Sequence, residues 1–465
     1  MNKSKSIKTG DRPSELPDSL IFHIFWLLPM RDVVRTTILS KHWRNLWTTI
    51  PCLNFDNYSI HEFDTNGRFR EFVNRALIFW RGIKIQKFKI NFFSQDLKEP
   101  FVSDIDMWVR FAKDNKAEEL YLHQMFICQT YSVPQYLFSS FSSLKVLSLK
   151  GCSLKINGNV RWNQLKSLTI DSDEVDEDVI NQVLCSSPRL EECFLTLYEM
   201  RNMSIRSSSL KKLSFNNSSL YESGHPWKDM DELRIWTPNL EALEISGIPY
   251  RRCLLKDVSS LTHATLKFHA HNSFSGNDFL QETLMQVFAA IKHVENVTLS
   301  DWCIEVLGAM KEKSLLSTMA NVKFLKLIEC SFVEYELIAG LLETFPRLKM
   351  LVLDQDATKA VQYDDDPEPR KFDAKSHLNF QTNLPNSFLR QLREVKVTWE
   401  EGDDSIFPLI QIVLKYASKL EKMAFGVKGT VSSNSLVLAS QKLLRMKRSS
   451  PTAELIFCES WSSSP

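Results

Sequence analysis

Glycine is scarce in this chain: 13 in 465 residues. Nucleotide-binding α/β sheets place glycines at their strand-to-helix turns, and neither G-x-G-x-x-G, G-x4-G-K-[ST] nor G-x-S-x-G occurs here. Charge of one sign is also missing. The net charge is +1, which gives no overall bias toward nucleic acid or a membrane surface. No apolar run reaches the ~18–20 residues of a membrane span. The nine cysteines are dispersed, with no C-x-x-C pair and no paired metal-type spacing. An odd, scattered set of thiols fits a reducing compartment, the cytoplasm and/or nucleus. The Lys-rich start followed by IFHIFWLL superficially suggests a secretory leader. Asp11, Arg12, Glu15, Pro17 and Asp18 interrupt it, however, and no small-residue cleavage site follows.

What is present is a repeating unit. LCSSPRLEECFL (184–195), FAAIKHVENVTL (288–299), LETFPRLKMLVL (342–353) and LKYASKLEKMAF (414–425) share one apolar spacing. Each follows a stretch in which apolar residues sit at helical intervals: Ile180/Val183, Leu284/Val287, Ile338/Leu341 and Ile410/Val413. Helix, short turn, strand is therefore the unit. Further strand signatures occur at LKVLSL (144–149), LKSLTI (165–170), LKKLSF (210–215), LEALEI (240–245), VKFLKL (322–327) and LREVKV (392–397), with weaker ones at IQKFKI (85–90) and EELYL (118–122). Spacings of roughly 20–33 residues are those of leucine-rich repeats, whose units cannot bury an apolar side alone. The expected fold class is α/β: an irregular solenoid with parallel strands on a concave face and helices on a convex one. A doubly wound sheet is the alternative, and the shortage of glycine argues against it. Between the two inward positions of each strand, Ser148, Thr169, Phe194, Ser214, Glu244, Thr298, Lys326 and Val352 are expected to face the open side and to be the candidate substrate-binding residues. They are chemically mixed, without a basic cluster, so nucleic acid is not the expected ligand. Cys152 and Cys330 follow their strands at the same offset, where leucine-rich repeats use Asn or Cys to bond the turning backbone.

The other informative region is LPDSLIFHIFWLLPMRDVVRTTILSKHWRNLW (16–47). Pro17 and Asp18 suit a helix start, and Pro29 ends the helix. At about 100° per residue, the apolar residues from Leu20 to Leu28 point in nearly every direction. A second helix is expected with Val33, Val34 and Ile38 inward, and a third capped by Ser40 and running through Trp43 and Trp47. About 40 residues in three short helices fall below the size that easily buries its own core. Some apolar faces must meet the following solenoid or another protein.

Leu16-Pro17, Ile24, Leu28-Pro29, Leu39-Ser40-Lys41, Trp43-Arg44 and Leu46-Trp47 resemble the F-box, in the plant form that reads LSKRWRNLW at its third helix; His42 stands at the first Arg position. The stretch 384–425, with the closing strand AELIF (453–457), is similar to the FBD module of plant F-box proteins. The resemblance implies a basic tail over 1–11, an F-box over 12–56, leucine-rich repeats over 57–375 and an FBD module over 384–465. The acidic stretch 354–375 reads as a loop. The resemblance further implies that Leu16, Pro17, Leu20, Ile24, Leu28, Pro29, Leu39, Ser40, Trp43 and Trp47 dock a Skp-type adaptor, and through it a cullin scaffold, while the repeats hold an unknown protein substrate for ubiquitination. A scaffold whose F-box-like helices merely cap the solenoid is the other reading. No catalytic constellation, cofactor, metal, nucleic-acid or membrane partner is expected. His263, His269 and His271 lack supporting Cys or carboxylate ligands at a metal-type spacing.

Overall fold

The computed structural model describes residues 16–39, 42–56, 67–93, 101–125, 130–198, 200–218, 232–268, 278–308, 319–328, 335–354, 389–399, 401, 404–427 and 433–458. The tail, Ser40, His269, His271, Cys330 and all but the first residue of the acidic stretch lie outside them. The chain forms two compact units, Met1–Leu197 and Tyr198–Pro465.

The first unit begins with three short helices, α1 (Asp18–Leu27), α2 (Met30–Arg35) and α3 (Trp43–Leu46). Eight strands follow: β1 (Cys52–Asp56), β2 (Lys87–Phe93), β3 (Glu119–Met125), β4 (Tyr131–Ser132), β5 (Val146–Lys150), β6 (Cys152–Ser153), β7 (Ser167–Ser172) and β8 (Glu192–Tyr198). β1, β2, β3, β5, β7 and β8 pair in that order, every pair parallel. β4 and β6 form a small parallel pair. Parallel neighbours need a crossover, and helices at Arg68–Phe79, Phe101–Asp114 and Glu177–Cys185 supply it between β1 and β2, β2 and β3, and β7 and β8.

The second unit holds β9 (Asn202–Arg206), β10 (Lys212–Ser218), β11 (Glu232–Trp236), β12 (Ala242–Gly247), β13 (Arg252–Lys256), β14 (His263–Phe268), β15 (Asn296–Ser300), β16 (Phe324–Ile328), β17 (Met350–Asp354), β18 (Glu394–Trp399), β19 (Lys422–Val427) and β20 (Glu454–Cys458). From β10, the ladder runs β12, β14, β15, β16, β17, β18, β19, β20, again all parallel. The strands assigned to the FBD resemblance, β18–β20, thus continue in register from β17. From β14 onward the crossovers include helices such as Asp278–Ala290, Tyr335–Leu342 and Phe407–Tyr416. Over 202–256 short strands take that place: β9, β11 and β13 make a separate parallel sheet with β11 central. The reason is local. Met203/Ile205 and Leu233/Ile235 alternate with polar residues, a period of two that suits a strand and not a helix.

The repeating apolar spacing marks the core. All four apolar positions of all four aligned segments are at most 4% exposed, as are the helical pairs before them. The second position also closes a turn: Leu190, Val294, Leu348 and Leu420 each donate a backbone N–H to the carbonyl three residues earlier, at 2.8–3.2 Å. Cys152 does what its offset suggested: its buried Sγ lies 3.4 Å from the Lys150 carbonyl and 3.8 Å from that of Leu122, as a donor to both. Asn217 does the same more strongly, exchanging bonds with the Met200 backbone at 3.0 and 3.3 Å.

Candidate functional site

The helical module resolves its excess of apolar residues by splitting them into stripes. Ile21 and Phe25 on α1 are buried, as are Met30, Val33 and Trp43; the Phe25 and Trp43 rings meet edge-on at 5.5 Å. One side over, Trp26 is half-buried, with the Lys87 ammonium 5.8 Å from its ring centre. The remaining stripe, Leu20, Ile24 and Leu27, follows i, i+4, i+7 and is 52%, 37% and 71% exposed. Leu39 (48%) and Ile38 (86%) add to the uncovered apolar surface of the module. The module's end is tied to the first repeat: the Trp80 indole donates to the Ile50 carbonyl at 2.9 Å, and Gln86 N donates to Pro51 O at 2.7 Å.

Of the F-box residues, Pro17, Leu20, Ile24 and Leu39 are exposed, and Leu16, Leu28, Pro29 and Trp47 are half-buried. Trp43, expected on the docking surface, is 4% exposed and lies beneath it as core. Ile38, expected inward, points out. It stands five residues, about 140° of helical rotation, from Val33, and the helix also tightens into a 3-10 turn at Thr36–Ile38. Ser40 lies outside the described residues; α3 follows His42, whose Nε2 lies 2.8 Å from Asp18 Oδ1 and ties α3 to the first turn of α1. Leu27, which the F-box pattern does not mark, is the most exposed member of the stripe and stands seven residues after Leu20.

The eight residues expected on the open face fall into register rows. In the first unit Ser148, Thr169 and Phe194 stand side by side, and the row extends through Tyr121 to Lys89 and Asn54. In the second, Ser214, Glu244, Thr265, Thr298, Lys326, Val352 and Lys396 form one row. Asn54, Lys89, Tyr121, Thr265 and Lys396 are the middle residues that sequence reasoning does not single out. Ser148 departs from expectation: it is 5% exposed, because His123 leans over it with Nε2 2.9 Å from its Oγ. Burial and the nearby Lys89 and Lys150 push the His123 pKa down to about 4, against the opposing pull of Asp56. In the second row the lysines are neutralised, Lys326 by Asp354 (3.1 Å) and Lys396 by Glu394 (3.7 Å), and Lys267, two residues along β14 from Thr265, is neutralised by Glu244 (2.9 Å).

Nucleophilic and metal chemistry find little support. Burial pushes the thiols of Cys52 and Cys303 up to about 11, and those of Cys152, Cys193 and Cys253 up to about 12, so the reactive thiolate is suppressed in all five. Among the described residues no three His, Cys, Asp or Glu side chains group as metal ligands, and no helix is long and apolar enough to cross a membrane.

Comparison with known proteins matches these regions. The F-box domain model matches residues 13–55, and the model described as FBD-associated F-box protein At5g56370, LRR repeats, matches residues 105–253. The F-box/FBD/LRR-repeat protein At5g56420 of Arabidopsis thaliana is 26% identical over 96% of this chain and 99% of its own length. F-box/LRR-repeat protein 13 of the same organism is 24% identical over 98% of both chains. The putative F-box protein At3g44060, also from Arabidopsis thaliana, is 30% identical over 73% of this chain and 78% of its own length. F-box domains generally bind Skp-type adaptors, proteins of this kind are typically non-catalytic, and neither matching model describes an enzyme. The chain belongs to the plant family of F-box/leucine-rich-repeat proteins with a C-terminal FBD module.

Proposed function

We propose that this chain is the substrate-recognition subunit of a Skp–cullin–F-box ubiquitin-protein ligase, working in the cytoplasm and/or nucleus and contributing no catalytic residue of its own. The observation that carries the reading is the uncovered stripe of Leu20, Ile24 and Leu27, with Ile38 and Leu39, on a module whose other apolar stripe is already packed. Each ~100 Å² of such surface removed from water by an adaptor contributes about 2.5 kcal/mol before the costs of association. The register rows of the two units are the candidate substrate-holding surfaces. Holding a substrate lysine near the transfer machinery raises its effective concentration, which is how a subunit without chemistry accelerates a reaction.

A capping role alone is favoured by the Trp80–Ile50 bond, which ties the module to the first repeat, and by the burial of Ile21 and Phe25. It accounts for the inner stripe and leaves the outer one without a purpose. The two readings separate in one experiment. The full chain carrying Ile24→Asp with Leu27→Asp should melt within about 2 °C of the parent, because both sites are exposed. It should lose affinity for a purified Skp-type adaptor by at least ~100-fold in calorimetry. Undiminished binding by the double variant leaves only the cap.

A further inference from the structure

The three-stranded sheet of the second unit is built unlike the ladder beside which its strands alternate in sequence. Its inner rows, Met203–Leu233–Cys253 and Ile205–Ile235, are buried. Its outer face carries Arg234, Arg252, Arg206, Trp236 and Lys256, all exposed. The last three are partners in one register row, with Trp236 on the central strand and a cation on either side. Trp236 is 47% exposed, yet its ring is held in place: the indole N–H donates to the carboxylate of Asp257, which leaves β13 in the left-handed conformation (φ 52°). Arg234 is paired with Glu232. Arg206, Arg252 and Lys256 have no hydrogen-bond or ion-pair partner among the described residues, whereas Lys267, Lys326 and Lys396 on the ladder are each paired. An open groove runs over this face, lined by Ser204, Arg206, Trp236, Leu254 and Lys256 among others.

We propose that this face is a second docking site, separate from the F-box ledge and the ladder rows, and that its ligand is an extended acidic segment of another protein. Its carboxylates would meet Arg206 and Lys256, and an apolar side chain between them would rest on Trp236. Adjacent strands lie about 4.8 Å apart, so the two cations stand roughly 10 Å apart across the sheet, close to three residues of extended peptide. Trp236 between two cations selects a peptide in polyproline-II-like extension, in which acids three residues apart share a face and flank an apolar residue. A nucleic-acid strand fits less well: the Glu232 and Asp257 carboxylates would repel a continuous phosphate backbone, and three unpaired cations supply little counterion release.

The test uses the full chain and a fluorescein-labelled twelve-residue peptide of the repeat Glu-Leu-Ser. Anisotropy should show saturable binding that weakens as salt rises. Arg206→Glu with Lys256→Glu should lower the affinity at least ~30-fold, and Trp236→Ala about 10-fold. Arg189→Glu with Arg347→Glu, an equal charge change at exposed sites elsewhere, should leave it within about 2-fold. An Arg206→Gln, Lys256→Gln variant gives the same direction without reversed charge and guards against misfolding. Equal binding of a Gln-Leu-Ser peptide, indifference to the Arg206 and Lys256 changes, absence of binding, or preference for a twelve-nucleotide oligo-dT would each overturn the proposal.

Discussion

The N-terminal helices and the strand ladder are both rich in apolar residues, and they dispose of them differently. In the ladder, each inward side chain is covered by the equivalent side chain of the next strand. Leu168, Cys193, Leu195 and Leu213 are 1% exposed or less. In α1, which occurs once, Ile21 and Phe25 find cover while Leu20 and Leu27, one and two positions away, stay more than half exposed. A repeated element carries its own partners in the chain, whereas an isolated element with two apolar stripes has one stripe too many. That is why the ladder's apolar pattern speaks of fold and the helix's speaks of a partner.

Paired truncations sharpen the contrast. Trp43→Ala removes the ring that closes the inner stripe and should destabilise the module by about 3–5 kcal/mol. Leu27→Ala, on the outer stripe, should cost no more than about 0.5 kcal/mol. Hydrogen exchange over residues 18–50 of the full chain reads both without requiring the whole molecule to unfold in one step. Equal losses of protection in the two variants would erase the distinction between the stripes.

The ladder has its own point of intolerance. Gly247 ends β12 with φ 86°, and a Cβ there would lie 2.0 Å from the Asn217 carbonyl oxygen, which also accepts a 2.6 Å bond from Ile248 N. Backbone cannot step aside as a side chain can. Gly247→Ala should therefore cost at least about 3 kcal/mol, from left-handed strain and steric overlap together. Gly67, at φ 68° with nothing within 4 Å of its Cβ site, supplies the control, since alanine there costs only about 1–2 kcal/mol of strain. Denaturant midpoints that move equally for the two would show that close packing against Asn217 is immaterial.

The strands most legible in the sequence were those preceded by a leucine-spaced turn, because one spacing sets both the turn and the buried pair. β1 and β14 escaped, since CLNFD and HATLKF alternate correctly but lack the repeating Leu; the His263 that opens β14 was weighed only as a metal ligand. β9, β11 and β13 escaped for another reason: once helix–turn–strand is taken as the unit, a strand in the helix's place is not sought. At the N-terminal helices the F-box pattern marks positions, but a motif does not say which side of a helix is already occupied. That is how Trp43 was placed on the surface and Leu27 left out. Ser148 was misjudged for a reason no period encodes, since its cover is His123, two positions out of its row on the neighbouring strand.

That same histidine shows that the open face of the first unit is less open than its polar sequence suggests. Its folded-state pKa, pushed down to about 4, lies below the ordinary value of 6.5. Between those values the unfolded chain binds the proton and the folded chain does not. The stability due to neutral His123 is therefore complete above pH 6.5 and is lost as pH falls toward 4. The whole shift corresponds to about 3 kcal/mol, and solvent screening of a half-buried ring reduces this to about 2. Carboxylates elsewhere titrate in the same window, so the useful quantity is the difference between the parent and His123→Gln, which can still bond Ser148 and cannot charge. That difference should stay level above pH 7 and shift in favour of the variant by about 2 kcal/mol as pH approaches 4, in urea titrations at each pH. A difference that does not vary with pH would mean that water reaches the ring freely. Ser148 would then be as accessible as its half-buried neighbours Thr169 and Phe194.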